Sequence, residues 1–250
     1  MMDVSFYPMG TGVVCGTTMR GVSGSHAGPY EGLSVSGYTG DEEVHVRRSL
    51  ERLAECLGVR PEDVIMPRQT HSTAVRRVGH GVGQEELYGV DGLVTTEPGI
   101  VIGVNTADCL PVLLADSRAR VVAAVHAGWR GAVAGIVMNA VDEMVSAGAS
   151  REDIRVYIGP SIHSCCFEVG EEVAREFPKR FVIRAGGAKP HVDLQGFVTW
   201  QLTENGVKPE NIEDSDECTR CRPELYFSAR ALGINSGRNF SFIGLRLPRG

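Results

Sequence analysis

The stretch NTADCLPVLLADSRARVVAAVHAGWR, residues 105–130, is the part of the chain from which the rest can be interpreted. Its two apolar runs, residues 110–114 and 121–125, are typical of buried strands. Cys109 stands at the start of the first run, and His126 stands at the end of the second, just before a Gly-Trp-Arg-Gly turn. Neighbouring strands would bring these two polar side chains together if the connecting loops allow it.

A third potential ligand, His71, lies earlier, in the segment RQTHSTAV. Two imidazoles and one thiolate suit zinc or copper. Three protein ligands leave a fourth position for water or substrate, which is the arrangement of catalytic zinc sites. Each residue also has a plainer interpretation, since an isolated histidine is usually a surface or hydrogen-bonded residue and a free cysteine is usually a small buried hydrophobe.

The composition is that of an ordinary globular protein, with 250 residues, 42% hydrophobic and 22% charged. A net charge of -6 argues against charge-driven binding of nucleic acid. The N-terminal sequence MMDVSFYPMG lacks the basic start and apolar run of a signal peptide, and no stretch approaches a membrane span. We therefore expect a cytoplasmic protein without a membrane or nucleic-acid partner. Because no repeat or linker interrupts the chain, one domain over residues 1–250 is the simplest organisation.

Hydrophobic periodicity and the positions of glycine and proline predict the remaining elements. A helix is predicted before Gly58, a clearer one over residues 133–145 before Gly148, and a third over residues 194–202 before Asn205. Strands are predicted at residues 93–96, 100–105, 112–115, 154–158 and 239–247, and short helices at 170–177 and from Pro223.

The cysteines give a weaker signal. Seven cysteines, an odd number in a chain of this length, indicate reduced thiols. Cys218 and Cys221 form a C-x-x-C pair, but there is no second such pair to complete a zinc site, so ordinary thiols or a weak redox pair are favoured. Cys165 and Cys166 would point to opposite sides of an extended segment, so we expect at most one of them to face a given site.

Six linked motifs, in the same order, resemble those of the YfiH/LACC1 family, once called multicopper polyphenol oxidoreductases or laccases. They are QTH (69–71), VDGLVTT (90–96), TADCLPVLLAD (106–116), HAGWRGAVAGI (126–136), IGPSIHSCCFEVG (158–170) and FSAR (227–230). The resemblance implies an α+β fold, a single domain of mixed β-sheets flanked by helices and related to cysteine–histidine deamidase toxins. It also implies a metal site formed by His71, Cys109 and His126.

The resemblance further implies an activity. Members of the family are described as zinc-dependent enzymes that cleave purine nucleosides with phosphate, including adenosine, inosine and methylthioadenosine, and that deaminate adenosine. Two alternatives stay open. One is copper-dependent oxidation of phenols, although a single His2Cys site is not the multi-copper cluster that oxygen reduction usually needs. The other is a hydrolase or amidase that edits peptidoglycan precursors, with Cys109 as nucleophile and His126 as base.

The mechanism expected from this resemblance needs groups beyond the metal ligands. Zinc with an open position can lower the pKa of water from ~15.7 to about 7, which would permit attack on C6 of adenosine. Phosphorolysis needs cations around the phosphate, and Arg48, Arg20 and Arg130 are the candidates, with a surface role as plausible for Arg130. Asp108 and Asp91 are candidate acid or base residues only because they adjoin the motifs.

The chain departs from the family pattern at several positions outside the proposed ligands. Other residues are usual at the positions of Ser34, Val35, Arg47, Ser72 and Ala229. These differences bear on substrate binding rather than on the metal.

Overall fold

The computed structural model of the chain describes residues 4–21 and 28–247. Within these ranges the strands are β1 (Val4–Phe6), β2 (Val13–Thr18), β3 (Val64–Ile65), β4 (Val75–Arg77), β5 (Gly92–Thr95), β6 (Val101–Thr106), β7 (Leu110–Asp116), β8 (Val121–Ala127), β9 (Arg155–Ile158), β10 (Val182–Ile183), β11 (His191–Val192), β12 (Ile212–Asp214) and β13 (Asn239–Leu245). The helices are α1 (Glu43–Leu57), α2 (Trp129–Val133), α3 (Ile136–Ser146), α4 (Glu171–Ala174), α5 (Leu194–Glu204) and α6 (Ala229–Leu232).

Two sheets carry most of the strands. The first has five strands in the order β1-β2-β13-β6-β3, and the second has six in the order β12-β9-β7-β8-β5-β4. Both are mixed: β3–β6, β4–β5 and β9–β12 are parallel pairs, and the other pairs are antiparallel. A separate small hairpin consists of β10 and β11.

The strands β7 and β8 form the centre of the molecule because both of their faces are buried. Val112 and Val125 pack toward the helices α3 and α5, whereas Leu113 and Ala124 pack against the five-stranded sheet. A strand buried on both faces has a continuous apolar sequence instead of an alternating one. This explains why the segment with the most uniform hydrophobicity, residues 121–125, lies in the middle of the structure.

The helix α1 covers the opposite side of the five-stranded sheet. Leu53 and Ala54 of this helix pack against Val101, Phe240 and Phe242 of the sheet. The fold therefore has four layers, helix, sheet, sheet and helix. This confirms the predicted α+β architecture of mixed sheets flanked by helices.

Most predicted elements are present, with differences at their ends. α1 ends where Gly58 adopts a left-handed φ of 69°, as glycine readily does. The helix expected from Pro223 begins instead at Ala229, because the Ser228 hydroxyl accepts a hydrogen bond from the Ala231 N–H and caps the helix there. That residues 1–250 form one domain stays a prediction. No helix within the described ranges has the length and apolar character needed to cross a membrane.

Candidate metal centre

The antiparallel pairing of β7 with β8 brings Cys109 close to His126. Leu110 pairs with Ala127, and Pro111 pairs with His126, so the first residues of β7 lie beside the last residues of β8. Cys109 directly precedes β7 and is half-buried, while His126 is buried within β8. The proximity expected from the two apolar runs is therefore a result of strand register.

His71 reaches the same place from a tight turn. Its backbone has a φ of 63°, a left-handed value that is uncommon for residues other than glycine. The Asp91 carboxylate stabilises this turn by accepting hydrogen bonds from the backbone N–H groups of Thr70, His71 and Ser72, at 3.0, 2.9 and 2.9 Å. Asp91 thus holds the turn that presents His71.

Gln69 anchors the same turn to the five-stranded sheet. Its amide nitrogen donates to the Asn105 carbonyl at 2.8 Å, and its amide oxygen accepts from the Asn105 N–H at 2.8 Å. Asn105 belongs to β6. Within the QTH motif, Gln69 therefore holds the turn in place, and His71 faces the site.

The three side chains converge to distances that suit one metal ion. One ligand atom from each of His71, Cys109 and His126 lies within 4.8 Å of the others. The Cys109 Sγ atom is 3.8 Å from the His71 Nε2 atom, against about 3.6 Å expected between sulfur and nitrogen ligands of tetrahedral zinc. The His126 Nδ1 atom is 2.7 Å from an Asp91 oxygen, which leaves Nε2 for the metal. A carboxylate bound to the second nitrogen is usual for metal-ligating histidines.

Gly128 leaves space next to all three ligands. A Cβ atom at this position would lie 2.8 Å from His71 Cδ2, 3.3 Å from Cys109 Sγ and 3.5 Å from His126 Cε1. The geometry therefore fits the donor set of a zinc or copper site, and the absence of a side chain at residue 128 is part of it.

The protonation of the three acidic and basic groups is coupled. Burial would raise the pKa of Asp91, but the His126 hydrogen bond and the backbone donors lower it to about 2. Burial would lower the pKa of His126, but Cys109 and Asp91 raise it to about 9. Burial would raise the pKa of Cys109, but His126 and His71 lower it to about 6. Without metal, Cys109 is a thiolate at neutral pH, and this is the form that binds metals and attacks electrophiles.

A pocket of about 360 Å³ opens beside Cys109. Its walls are mainly apolar and its polar groups are few, which is typical of small-molecule sites. The lining residues are Ala107, Asp108, Cys109, Trp129, Ile162, Phe167, Leu194, Ala229, Arg230 and Ile234. A larger hollow of about 1010 Å³ lies between α1 and the segment around Met66, and none of the three ligands lines it.

Asp108 is held in place by contacts with other segments. It has a left-handed φ of 89°, and its carboxylate accepts hydrogen bonds from the Thr219 hydroxyl and the Arg230 N–H, both at 2.7 Å. Both carboxylate oxygens are thus engaged, which favours a positioning role over proton transfer.

The three predicted phosphate-binding arginines lie in different environments. Arg20 donates to the carbonyl oxygens of Pro223, Gly28 and Glu31, at 2.8, 3.2 and 3.3 Å. Arg48 is exposed on α1, in the outer helix layer. Arg130 is exposed next to the pocket, with its guanidinium carbon 4.3 Å from the centre of the Trp129 ring.

Arg230 is a pocket cation that the sequence interpretation did not select. It lines the pocket, and its guanidinium donates to the Glu168 carbonyl at 3.3 Å. The sequence feature that points to Arg230 is its position at the end of the FSAR motif.

The prediction that at most one of Cys165 and Cys166 faces a given site is wrong. Residues 164–166 form a turn and not an extended segment, so both side chains point the same way. Together with Cys218 and Cys221 they form a cluster in which all four sulfur atoms lie within 4.8 Å of one another.

The fold and the converging side chains define a class of protein, an α+β protein with two histidines and one cysteine grouped at the ends of two central strands. The sequence profile described as multi-copper polyphenol oxidoreductase laccase matches residues 14–246, and the chain belongs to this family. The resemblance inferred from the motifs is thereby confirmed.

Relatives and solved structures agree with this assignment. Adenosine deaminase RL5, from an unknown prokaryotic organism, is 44% identical over 247 residues, covering 93% of this chain and 94% of that protein. A purine nucleoside phosphorylase of Bacteroides thetaiotaomicron is 39% identical over 242 residues, covering 91% and 89%. The crystal structure of YfiH from Bacillus licheniformis matches with a TM-score of 0.92 at 28% identity, covering 98% and 97% of the two chains.

Proposed function

We propose that this chain is a zinc-dependent enzyme of purine nucleosides, which cleaves adenosine, inosine or methylthioadenosine with phosphate and deaminates adenosine. One observation carries the proposal: His71, Cys109 and His126 converge, and Cys109 also lines a pocket of about 360 Å³. The names of the two relatives described above, an adenosine deaminase and a purine nucleoside phosphorylase, support the choice of substrate.

The metal would be held by His71 Nε2, Cys109 Sγ and His126 Nε2. Zinc bound there would supply a Lewis acid that polarises substrate and lowers the pKa of water. Asp91 fixes the tautomer and orientation of His126 through the 2.7 Å contact with Nδ1. It also holds the turn that carries His71, so one carboxylate orients two of the three ligands.

The pocket offers the contacts that a nucleoside needs. The aromatic side chains of Trp129 and Phe167 supply apolar surface for a purine. Arg230 in the wall and Arg130 beside Trp129 supply positive charge for phosphate. Arg48 and Arg20 stay proposals for the same role, although Arg20 already donates to three carbonyl groups.

The test uses protein of defined metal content. Zinc-loaded, copper-loaded and metal-stripped samples are incubated with adenosine and with inosine, with and without phosphate, and products are separated by chromatography. We expect free purine base only with phosphate, and inosine from adenosine in either buffer, in the zinc-loaded sample alone. Cys109→Ser should abolish both reactions, whereas Cys56→Ser, which changes an exposed thiol on α1, should leave both unchanged. Equal turnover in zinc-loaded and stripped samples would exclude the zinc mechanism.

A second candidate, a cysteine hydrolase acting on an amide, is favoured by one observation. Cys109, His126 and Asp91 are arranged as nucleophile, base and orienting carboxylate, and His126 lowers the pKa of Cys109 to about 6. This candidate predicts that metal-stripped protein is active and that alkylation of Cys109 abolishes activity. The zinc proposal predicts that stripped protein is inactive before any alkylation.

Copper oxidation of phenols is a further outcome of the same experiment. Two imidazoles and a thiolate also suit copper. The other ligand cluster found among the described residues contains four cysteines and no histidine, so it adds no imidazole ligands for a multi-copper centre. Oxidation of a phenol in the copper-loaded sample alone, with no nucleoside turnover in any sample, would favour that activity.

A further inference from the structure

We infer that Cys165, Cys166, Cys218 and Cys221 form a second metal site, a closed structural zinc site of four thiolates. The four residues come from two segments more than fifty positions apart in sequence, one with vicinal cysteines and one with a C-x-x-C pair. The inference is independent of the proposed nucleoside chemistry.

The distances between the sulfur atoms suit tetrahedral zinc. The Cys165–Cys166, Cys165–Cys221 and Cys166–Cys221 sulfur pairs are 3.7, 3.8 and 3.4 Å apart, and all four sulfurs lie within 4.8 Å. A zinc–sulfur bond of about 2.3 Å gives an edge of about 3.8 Å between neighbouring ligands. These sulfur atoms are also too far apart for disulfide bonds, which are about 2.05 Å long.

Both segments present their thiols from tight turns. The N–H groups of Cys166 and Phe167 both donate to the His163 carbonyl at 2.8 Å, which bends the first segment. The Arg222 N–H donates to the Cys218 carbonyl at 3.1 Å, which bends the second. A turn places thiols one or three positions apart on the same side, and two-residue spacing within C-x-x-C is usual in zinc sites.

Groups around the cluster offset the charge of bound thiolates. Four thiolates and one Zn²⁺ carry a net charge of -2, so such a site needs nearby positive charge or hydrogen-bond donors. The Arg220 guanidinium lies 3.4 Å from the Cys166 sulfur, and the His163 N–H donates to the Cys218 sulfur at 3.5 Å. Such outer contacts orient the ligands of metal sites.

The four-cysteine cluster is connected by hydrogen bonds to residues next to the first site. The Thr219 N–H donates to the Ser161 carbonyl at 2.9 Å, and the Ile162 N–H donates to the Asp108 carbonyl at 2.9 Å. The Thr219 hydroxyl reaches the Asp108 carboxylate at 2.7 Å. Zinc joining the two segments would therefore secure Asp108, the neighbour of Cys109, and the pocket wall at Ile162.

The first experiment measures metal content of the full chain, purified under reducing conditions without chelator. We expect two zinc ions per chain, by elemental mass spectrometry. The double variant His71→Ala/Cys109→Ala should lose one ion, Cys218→Ser/Cys221→Ser should lose the other, and Cys56→Ser should lose neither. In the His71→Ala/Cys109→Ala background, cobalt in place of zinc should give the intense sulfur-to-metal absorption of a thiolate-rich tetrahedral site.

A labelling experiment on the unmutated protein tests the site even if the cysteine variants do not fold. Cys165, Cys221 and Cys56 are all exposed, so an alkylating reagent should reach each of them when no metal is bound. We expect Cys56 to be labelled in the metal-loaded protein while Cys165 and Cys221 are protected, and all three to be labelled after chelation. Loss of that protection on chelation, read by peptide mass spectrometry, would support the site.

Four results would overturn the inference. Two concern the metal: a single zinc ion per chain that the His71→Ala/Cys109→Ala variant loses, or iron in place of zinc. Two concern the thiols: equal labelling of the three exposed cysteines before chelation, or disulfides within the cluster under reducing conditions.

Discussion

The Asp91 carboxylate lies 2.7 Å from the Nδ1 atom of His126, and the same oxygen accepts the His71 N–H at 2.9 Å. One buried side chain thus connects two ligands of the candidate metal centre that are separated by more than fifty residues. The His126 N–H in turn donates to the Asp91 carbonyl at 2.8 Å, so backbone and side chain both join this pair.

Asp91→Asn should weaken metal binding without unfolding the protein. Asparagine keeps the shape but loses the charge that stabilises the imidazole. It also replaces one acceptor oxygen by an NH2 donor, so it cannot accept from all three N–H groups. We expect zinc affinity to fall by about 10–100-fold and the free energy of unfolding to fall by about 1–3 kcal/mol. Competition with a chromophoric chelator measures the first quantity, and thermal or denaturant unfolding measures the second.

Asp116→Asn is the matched control for this substitution. Asp116 is also buried and also accepts three backbone N–H groups, those of Arg118, Ala119 and Ser150, but it lies at the opposite end of β7. It should lose similar stability and keep full zinc affinity. If both variants lost zinc equally, the effect would come from general destabilisation and not from the Asp91–His126 contact.

Gly128→Ala should disrupt the metal centre through one added methyl group. The backbone of Gly128, with φ -60° and ψ 159°, is accessible to alanine, so conformational strain is not the cause. The new Cβ atom would stand 2.8 Å from the His71 ring and would have to displace it. We expect at least about tenfold weaker zinc binding and a loss of about 1–3 kcal/mol in stability, the usual cost of overpacking.

The control is Gly186→Ala, where a Cβ atom would have no neighbour within 4 Å. Zinc content and melting temperature of this variant should equal those of the unmodified chain. A Gly128→Ala protein with normal zinc affinity would show that the ligands are free to move apart, and the proposed close grouping would then be wrong.

The central layers and the meeting of Cys109 with His126 were predictable from sequence because their signals are local. Continuous apolar runs marked β7 and β8, and Cys109 and His126 flank those runs. The contacts between residues on different elements were not predictable in the same way. Asp91 reaches His126 only because β5 pairs with β8, a relationship that no spacing in the sequence records.

The cysteine cluster illustrates the same limit more clearly. β12 pairs in parallel with β9, and the pairing continues as a bridge between Ser161 and Cys218. This register brings Cys165 and Cys166 to Cys218 and Cys221. A search for a second C-x-x-C pair in the sequence misses the site, since its other half is a vicinal pair folded into a turn.

Metal removal should make Cys109 unusually reactive at neutral pH. Burial would raise the pKa of its thiol, but His126 and His71 hold it at about 6, so the thiolate persists at pH 7 and disappears only as the pH falls through about 6. The rate of Cys109 alkylation in stripped protein should therefore be half-maximal near pH 6, and zinc should block it. Peptide mass spectrometry across a pH series measures this rate.

Two comparisons sharpen the pH experiment. Burial raises the pKa of the Cys56 thiol, so the midpoint for Cys56 alkylation should lie well above that for Cys109 in the same samples. His126→Gln removes the imidazolium charge and should move the Cys109 midpoint upward. A midpoint for Cys109 near the ordinary thiol value of about 8.5 would contradict the coupling of Cys109 to His126.

Arg230→Ala should separate the two proposed reactions, because only phosphorolysis uses phosphate. The Arg230 N–H that holds Asp108 is a backbone group, so alanine keeps it while removing the cation from the pocket wall. A charge-assisted contact with phosphate is worth about 1.5–3 kcal/mol, so we expect the KM for phosphate to rise by about 10–100-fold. Deamination of adenosine should keep its rate.

Steady-state kinetics of both reactions in the same preparation make the comparison. Arg184→Ala is the control, since Arg184 is an exposed arginine paired with Glu171. An equal loss in both reactions would mean that Arg230 supports the pocket as a whole and does not bind phosphate.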